Sequence, residues 1–271
     1  MTRAESSELD TAAARSVSIV LPTYNEAGNI VALINAIKAA VPSGWTYEIL
    51  VMDDSSPDAT HSLVQKAFVE DPTVRAILRT RDRGLAKSIR GGIEQARLER
   101  IIVMDSDLTH DPAEIPALLH VGTIYDIVSA SRFCAGGRMA DTSHYLISML
   151  YNWLLRLVLR TQVQDNLGGY FTARRSALHE LPTDEIFYGY GDYYFRLLHF
   201  AQRAGMSIVE IPAAYLARGA GDSKSNWLRM IRTYTTAAAQ LRLRIWQTRR
   251  TQRRGQRNVP TEGRRNPSTL P

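Results

Sequence analysis

Cysteine is nearly absent: Cys134 alone occurs in 271 residues, so no intramolecular disulfide can form and the fold rests on its core. Missing too is any run of about 18 apolar residues, the length a membrane-spanning helix needs. The nearest approach, Tyr145 to Leu159 (YLISMLYNWLLRLVL), is shorter and broken by Asn152 and Arg156. The first ten residues are acidic and polar, not basic and then apolar, which is not the pattern of a secretory signal; a reducing, cytoplasmic setting is the expectation. Acids almost vanish from Leu241 to Pro271, where nine arginines face only Glu262. That tail carries +8 of an overall +6, which leaves the remainder at −2. A nucleic-acid-binding body would show a basic face of its own, so nucleic acid is not the expected partner. The tail itself fits anionic lipid, RNA, or plain solvation as a disordered end.

What is present is a 45% apolar chain able to bury one substantial core, without internal repeats. Residues 1–16 lack periodicity and are expected to be disordered, 17–247 to form one domain, and 248–271 a basic disordered tail. Apolar Val17 to Leu21 ends at Pro22 and predicts a strand; Ile30, Leu33, Ile34 and Ile37 predict a helix. Further strands are predicted at Tyr47 to Met52, Val74 to Leu78, Arg100 to Met104 and Asp126 to Ala130. Helices are predicted after Asp58 as a cap, over Gly84 to Ala96 and from Pro112. The second half is less regular, with helices near 143–160 and 191–204, a strand at 206–211 and a last helix from Ser225 to Gln247. The 143–160 helix is amphipathic, with Leu146, Met149, Leu150, Trp153, Leu154 and Leu157 at helical spacing, and fits either a core or a membrane-interface position. Alternating strands and helices predict an α/β fold with a mainly parallel sheet covered on both faces.

In such sheets ligands collect at the carboxyl ends of strands, where three polar clusters fall. Pro22-Thr23-Tyr24-Asn25-Glu26 follows the first strand, Asp53-Asp54 the second, and Asp105-Ser106-Asp107 the fourth. Two carboxylates one residue apart suit a hard cation, Mg²⁺ or Mn²⁺, shared with diphosphate oxygens. Asp53 and Asp54 suit ribose hydroxyls and base N–H groups, and equally a turn capped by Asp58. Asn25 and Asn29 suit the first helix, while Tyr24 and Glu26 are expected to face the crevice. Arg218-Gly219-Ala220-Gly221-Asp222-Ser223-Lys224 sets two cations around a glycine loop suited to phosphate, and Arg132 after the fifth strand is placed to join them.

The ordered series PTYNE, DDSSPD, GLAKSIRGG, DSDLTH, SRFCAGG and RGAGDSK resembles the dolichyl- or polyprenyl-phosphate mannosyltransferases among the inverting GT-A glycosyltransferases. It covers Val17 to Asn226, about 210 of 271 residues. The resemblance implies nucleotide binding by Pro22, Tyr24, Glu26 and Asp54, with Asp53, Ser106 and Ser223 of the same motifs as further substrate contacts. It implies metal binding by Asp105 and Asp107, and phosphate contacts from Arg132, Arg218 and Lys224. The implied reaction moves a hexose from GDP-mannose, or a UDP-sugar, to a lipid phosphate at the cytoplasmic face of a membrane, with room for a membrane-anchoring protein partner. Departures lie on the acceptor side: His144 stands where the family has an arginine before Ser148 and Asn152, Leu167-Gly168-Gly169-Tyr170 replaces a threonine-serine-glycine-phenylalanine segment, and a glutamate is replaced near Arg196. A phosphate acceptor needs no protein base, whereas a hydroxyl acceptor does, and Asp192 is the candidate for it, or else a helix cap. A non-catalytic membrane- or RNA-binding protein leaves the crevice carboxylates unexplained.

Overall fold

A computed structural model of the chain describes residues 15–140, 142–217, 231–244 and 247. The chain divides into two compact units, Met1–Asn226 and Trp227–Pro271. In the second, residues 231–244 are helical, within the span expected for the last helix. The first runs β1 (Ser16–Thr23), α1 (Ile30–Ala40), β2 (Thr46–Asp53), α2 (Thr60–Ala67), β3 (Val74–Leu78), α3 (Leu85–Gln95) and β4 (Arg100–Val103). A 3₁₀ turn (Pro112–Glu114) leads into α4 (Ile115–Gly122), followed by β5 (Ile127–Ser131), β6 (Arg138–Met139) and α5 (Thr142–Leu159). Then come β7 (Phe171–Arg174), α6 (Arg175–His179), α7 (Thr183–Ile186), α8 (Tyr193–Arg203), β8 (Ile208–Pro212) and β9 (Ala214–Tyr215).

Seven strands form one sheet in the order β3-β2-β1-β4-β7-β5-β8. Burial explains why β1 can be so apolar: all eight of its residues are buried, as a strand covered on both faces requires. Alternate residues serve different cores, Val20 packing with Leu50, Met52 and Ile89, and Ile19 and Leu21 packing with Leu33, Ile34 and Val51. Helix α3 lies close against β1, and a Cβ at Gly92 would fall 2.3 Å from Val20 Cγ1, so glycine is required there.

Besides one-residue shifts at β2, β4 and β5 and a later start of β8, three strand boundaries differ from the sequence expectation. β1 begins at Ser16, inside the segment expected to lack structure, and continues through Pro22 to Thr23. Pairing with β4 stops at Val20–Val103, and Pro22 shares Val20's side of the strand, so its missing N–H faces a neighbour that has already turned away. Pro212 likewise ends β8 inside the strand, because β8 is an edge and Ala213 N–H, not residue 212, reaches Ser131 O. The unanticipated element is β7, antiparallel to both β4 and β5 in the middle of the sheet. At α2 the N-cap is Ala59, with Asp58 one residue earlier accepting from Thr60 N–H at 3.1 Å and from Ala27 N–H at 3.0 Å.

The strand directions set where chemistry gathers. β1, β2, β4, β5 and β8 end on one edge of the sheet, and β7, running the other way, begins there. The segment before β7 therefore joins the same crevice as the strand ends.

Candidate active site

The Asp105–Asp107 turn is anchored on three sides. Asp105 N–H donates to His110 Nδ1 at 2.9 Å, Ser106 Oγ donates to Pro22 O at 2.9 Å, and Asp107 Oδ1 accepts from Thr109 N–H at 3.0 Å and Thr109 Oγ1 at 2.6 Å. Leu108 sits at φ 67°, a left-handed conformation that a branched apolar side chain seldom adopts, so the loop is bent against local preference. The Asp105 side chain is nearly half exposed, at 46%, whereas Asp107 is buried. His110 is buried, stacked on Tyr170 with ring centroids 4.8 Å apart, and meets the Tyr215 edge at 4.7 Å. Burial pulls its pKa down to about 4, against the opposing charge of Asp107, which leaves it neutral near pH 7.

Both aspartates after β2 are already engaged. Asp53, fully buried, accepts from Ser56 N–H at 3.0 Å and from the Ser56 hydroxyl, which closes the turn after β2. Asp54 pairs with Arg79 and accepts Gly84 N–H at 2.6 Å, binding the β2 end to the loop before α3. Glu26, expected to face the crevice, is buried, and its Oε2 accepts Asn29 Nδ2 at 2.7 Å. Tyr24 is exposed, with the Arg83 guanidinium 5.5 Å above its ring.

Arg132 lies just past the crevice end of β5 and is held there by a carboxylate. Asp165, fully buried, takes it bidentately, with Nε and Nη2 each 2.8 Å from a carboxylate oxygen, and also accepts Arg132 N–H at 3.1 Å. Burial alone would lower the guanidinium pKa, yet the charge and hydrogen bonds of Asp165 outweigh it and the shift is upward. The guanidinium lies 4.8 Å from the Tyr215 ring, so one tyrosine touches both Arg132 and His110.

Asp192 is also taken. One oxygen accepts Tyr190 N–H at 2.7 Å, and the other pairs with Arg196, which is wholly buried and also donates to the carbonyls of Ile186 and Tyr188. It makes no side-chain cap bond to α8, so the cap reading does not describe its contacts. Arg218, Ser223 and Lys224 lie outside the described residues.

The partners are what sequence reasoning missed: His110, Asp165, Arg79 and Arg196 hold the named residues in place. His110 stood inside a motif, DSDLTH, but Asp165 is 33 residues from Arg132 and carries no local signal. Among the described residues no group of three or more His, Cys, Asp or Glu side chains is gathered to hold a metal. Asp105 and Asp107 nevertheless fit Mg²⁺ or Mn²⁺, since such ions typically take one or two carboxylates and complete their shell with substrate phosphates and water.

A family model described as glycosyl transferase family 2 matches residues 18–182. An undecaprenyl-phosphate mannosyltransferase of Micrococcus luteus is 33% identical over 218 residues, 77% of this chain and 86% of that protein. A dolichol-phosphate mannosyltransferase of Pyrococcus furiosus is 32% identical over 77% of this chain, which spans only 58% of that relative. A polyprenol monophosphomannose synthase of Mycolicibacterium smegmatis is 29% identical over 76% of this chain and 79% of its own length. Among solved structures, glucosyl-3-phosphoglycerate synthase of Mycobacterium tuberculosis, in complex with Mn²⁺, UDP and glucosyl-3-phosphoglycerate, superposes with TM-score 0.65 at 21% identity over 85% of this chain and 81% of that one. The same enzyme has been crystallised with Mg²⁺ and UDP, with TM-score 0.65.

Proposed function

The chain belongs to glycosyl transferase family 2, and from that premise we propose that it moves a hexose, mannose from GDP-mannose, to a polyprenyl-type lipid phosphate with inversion. The observation that carries this reading is the anchored Asp105–Ser106–Asp107 turn beside the end of β1, on the edge that also receives Arg132. Asp105 and Asp107 would hold Mg²⁺ or Mn²⁺, which when bound compensates charge on a departing nucleoside diphosphate. Tyr24 and Asp54 line the nucleotide end, and Arg132, fixed by Asp165, offers a preoriented positive group to an acceptor phosphate. Arg218, Ser223 and Lys224 remain part of the proposal as phosphate contacts from the stretch of sequence after β9.

In the transfer an acceptor phosphate oxygen forms the bond to the anomeric carbon as the bond to the diphosphate oxygen breaks, and the electron pair leaves with the nucleoside diphosphate. A phosphomonoester with a second pKa of about 6 is already ionised, so no protein base is needed. Support for that acceptor comes from Asp192, the one base candidate, whose oxygens are occupied by Tyr190 and buried Arg196.

Support for work at a membrane comes from α5. Its buried side is Asn152, Leu155 and Leu159, while Leu146, Leu150, Trp153 and Leu157 are each more than half exposed. The core-helix reading of this apolar stripe is therefore set aside in favour of an interfacial one. No helix among the described residues is long and apolar enough to cross a membrane. The domain reading, a catalytic body over 17–247 with a basic tail over 248–271, belongs to the same proposal, as does a peripheral position on the cytoplasmic face.

The test is an acceptor screen with GDP- and UDP-sugars in Mn²⁺, comparing polyprenyl phosphate with sugar and glycerate hydroxyls. Turnover is expected with GDP-mannose and polyprenyl phosphate. Preference for a hydroxyl acceptor overturns the reading.

A further inference from the structure

We propose that His110 is a positioning residue for the metal-holding turn, setting the direction of the Asp105 carboxylate by accepting that residue's backbone N–H. The inference rests on the metal reading of Asp105 and Asp107 and adds to it a residue that touches neither ion nor substrate.

Three observations carry it. First, the contact is to the main chain: Nδ1 is 2.9 Å from Asp105 N, while Nε2 is 3.8 Å from Asp105 Oδ2, too long for a hydrogen bond. The imidazole therefore grips the peptide and leaves the carboxylate to point into the crevice, where its side chain is 46% exposed. Second, the ring has no freedom to turn. Tyr170 stacks on one face at an interplanar angle of 9°, Tyr215 meets it edge-on, and the residue is 1% exposed. Third, the ring's nitrogens have separate tasks. An Nδ1 that accepts leaves the ring proton on Nε2, and Tyr170, at the end of the segment before β7, holds the imidazole by stacking on it. A Cβ at Gly168 would come 2.8 Å from Tyr215 Oη, so glycine at 168 lets that segment pack against the tyrosine that meets the ring edge-on.

Through the stack on Tyr170, His110 thus ties the turn after β4 to the segment that carries Asp165, and through it Arg132. A residue that only filled space would be replaceable by any ring of similar size. One that positions Asp105 is replaceable only by a side chain with an acceptor where Nδ1 stands. His110→Asn sets its carbonyl oxygen near that point, His110→Gln carries its carbonyl further out, and His110→Phe keeps the ring without an acceptor.

Mn²⁺ is titrated into each full-length protein with GDP present, following the signal of free Mn²⁺ by electron paramagnetic resonance, with melting curves alongside. The expected result is a Kd for Mn²⁺ raised about 10- to 100-fold in His110→Phe and His110→Gln, with His110→Asn within a few-fold of wild type. Should His110→Phe fail to fold, the contrast between His110→Gln and His110→Asn decides. Wild-type Mn²⁺ affinity in His110→Gln or in folded His110→Phe, or a loss in His110→Asn as large as in His110→Gln, overturns the proposal. A wild-type protein that binds no Mn²⁺ under these conditions instead removes the metal reading, and this inference with it.

Discussion

Asp192 accepts a peptide N–H on one oxygen and pairs the other with a buried guanidinium, so its side chain is bound into the structure on both oxygens. Asp192→Asn should therefore act on stability before chemistry, because it leaves Arg196 charged and buried without its anion. The expected cost is about 3–5 kcal/mol, visible as a clear fall in melting temperature. Turnover per folded molecule on polyprenyl phosphate should change by only a few-fold; a further loss of about 10²- to 10⁴-fold would mark Asp192 as a base and favour a hydroxyl acceptor. Asp107→Asn should do the reverse. Its amide oxygen can still accept from Thr109, so the turn and the melting temperature should survive, while metal-dependent transfer disappears. Retained activity with ordinary metal dependence would refute the role given to Asp107. At this scale the sequence shows where carboxylates stand along the chain but not what they touch: Asp53 closes a turn on Ser56, and the partner of Arg132 lies in a different loop.

Among the elements, the sheet from β1 to β4 is legible in the sequence because β1, β2 and β4 are largely buried apolar runs, β3 is a half-buried one, and α1 and α3 have repeating apolar faces. β7 is not, because Phe171–Arg174 is too short to display a period and its position follows from pairing with β4 and β5. The amphipathic pattern of α5 reveals an apolar stripe, yet only packing decides which side is covered. Replacing Leu150 and Trp153 together by aspartate should weaken binding to anionic lipid vesicles by at least about 10-fold in a sedimentation assay, with melting unchanged, since both side chains are exposed. Equal sedimentation would move the membrane contact elsewhere. Glu48 joins neighbouring elements at the opposite end of the sheet, accepting from Ser18 Oγ at 2.7 Å, Arg97 N–H at 2.6 Å and Arg75 Nη1 at 2.8 Å. Burial would raise its pKa, but those donors outweigh it and the shift is downward. A depressed carboxylate stabilises the fold above its unfolded pKa, and that contribution is lost as pH falls through its folded pKa. Glu48→Gln should cost about 1 kcal/mol at pH 7, allowing for partial screening, and the gap to wild type should close below about pH 4 in urea titrations. A gap that stays constant down to pH 2 would contradict this account.

For the whole molecule, charge is divided between a body at −2 and a stretch from Leu241 to Pro271 at +8. Deleting residues 249–271 removes seven of the nine arginines, and each basic residue near an anionic bilayer contributes about 1 kcal/mol. Vesicle binding should weaken most at low salt, and transfer to a water-soluble phosphate acceptor should be spared. Salt-independent binding by the shortened protein would assign attachment to α5 alone. The order of the strands has a further consequence, which concerns synthesis. β4 is complete at Val103, but the neighbour on its far side begins at Phe171, about 70 residues later. At ribosomal rates of about 5–20 residues per second, the nascent sheet waits roughly 4–14 s with an open seam through its middle. Until that seam strand emerges the two halves have no common hydrogen-bonding partner, so a truncated chain should need a holding chaperone to stay out of aggregates.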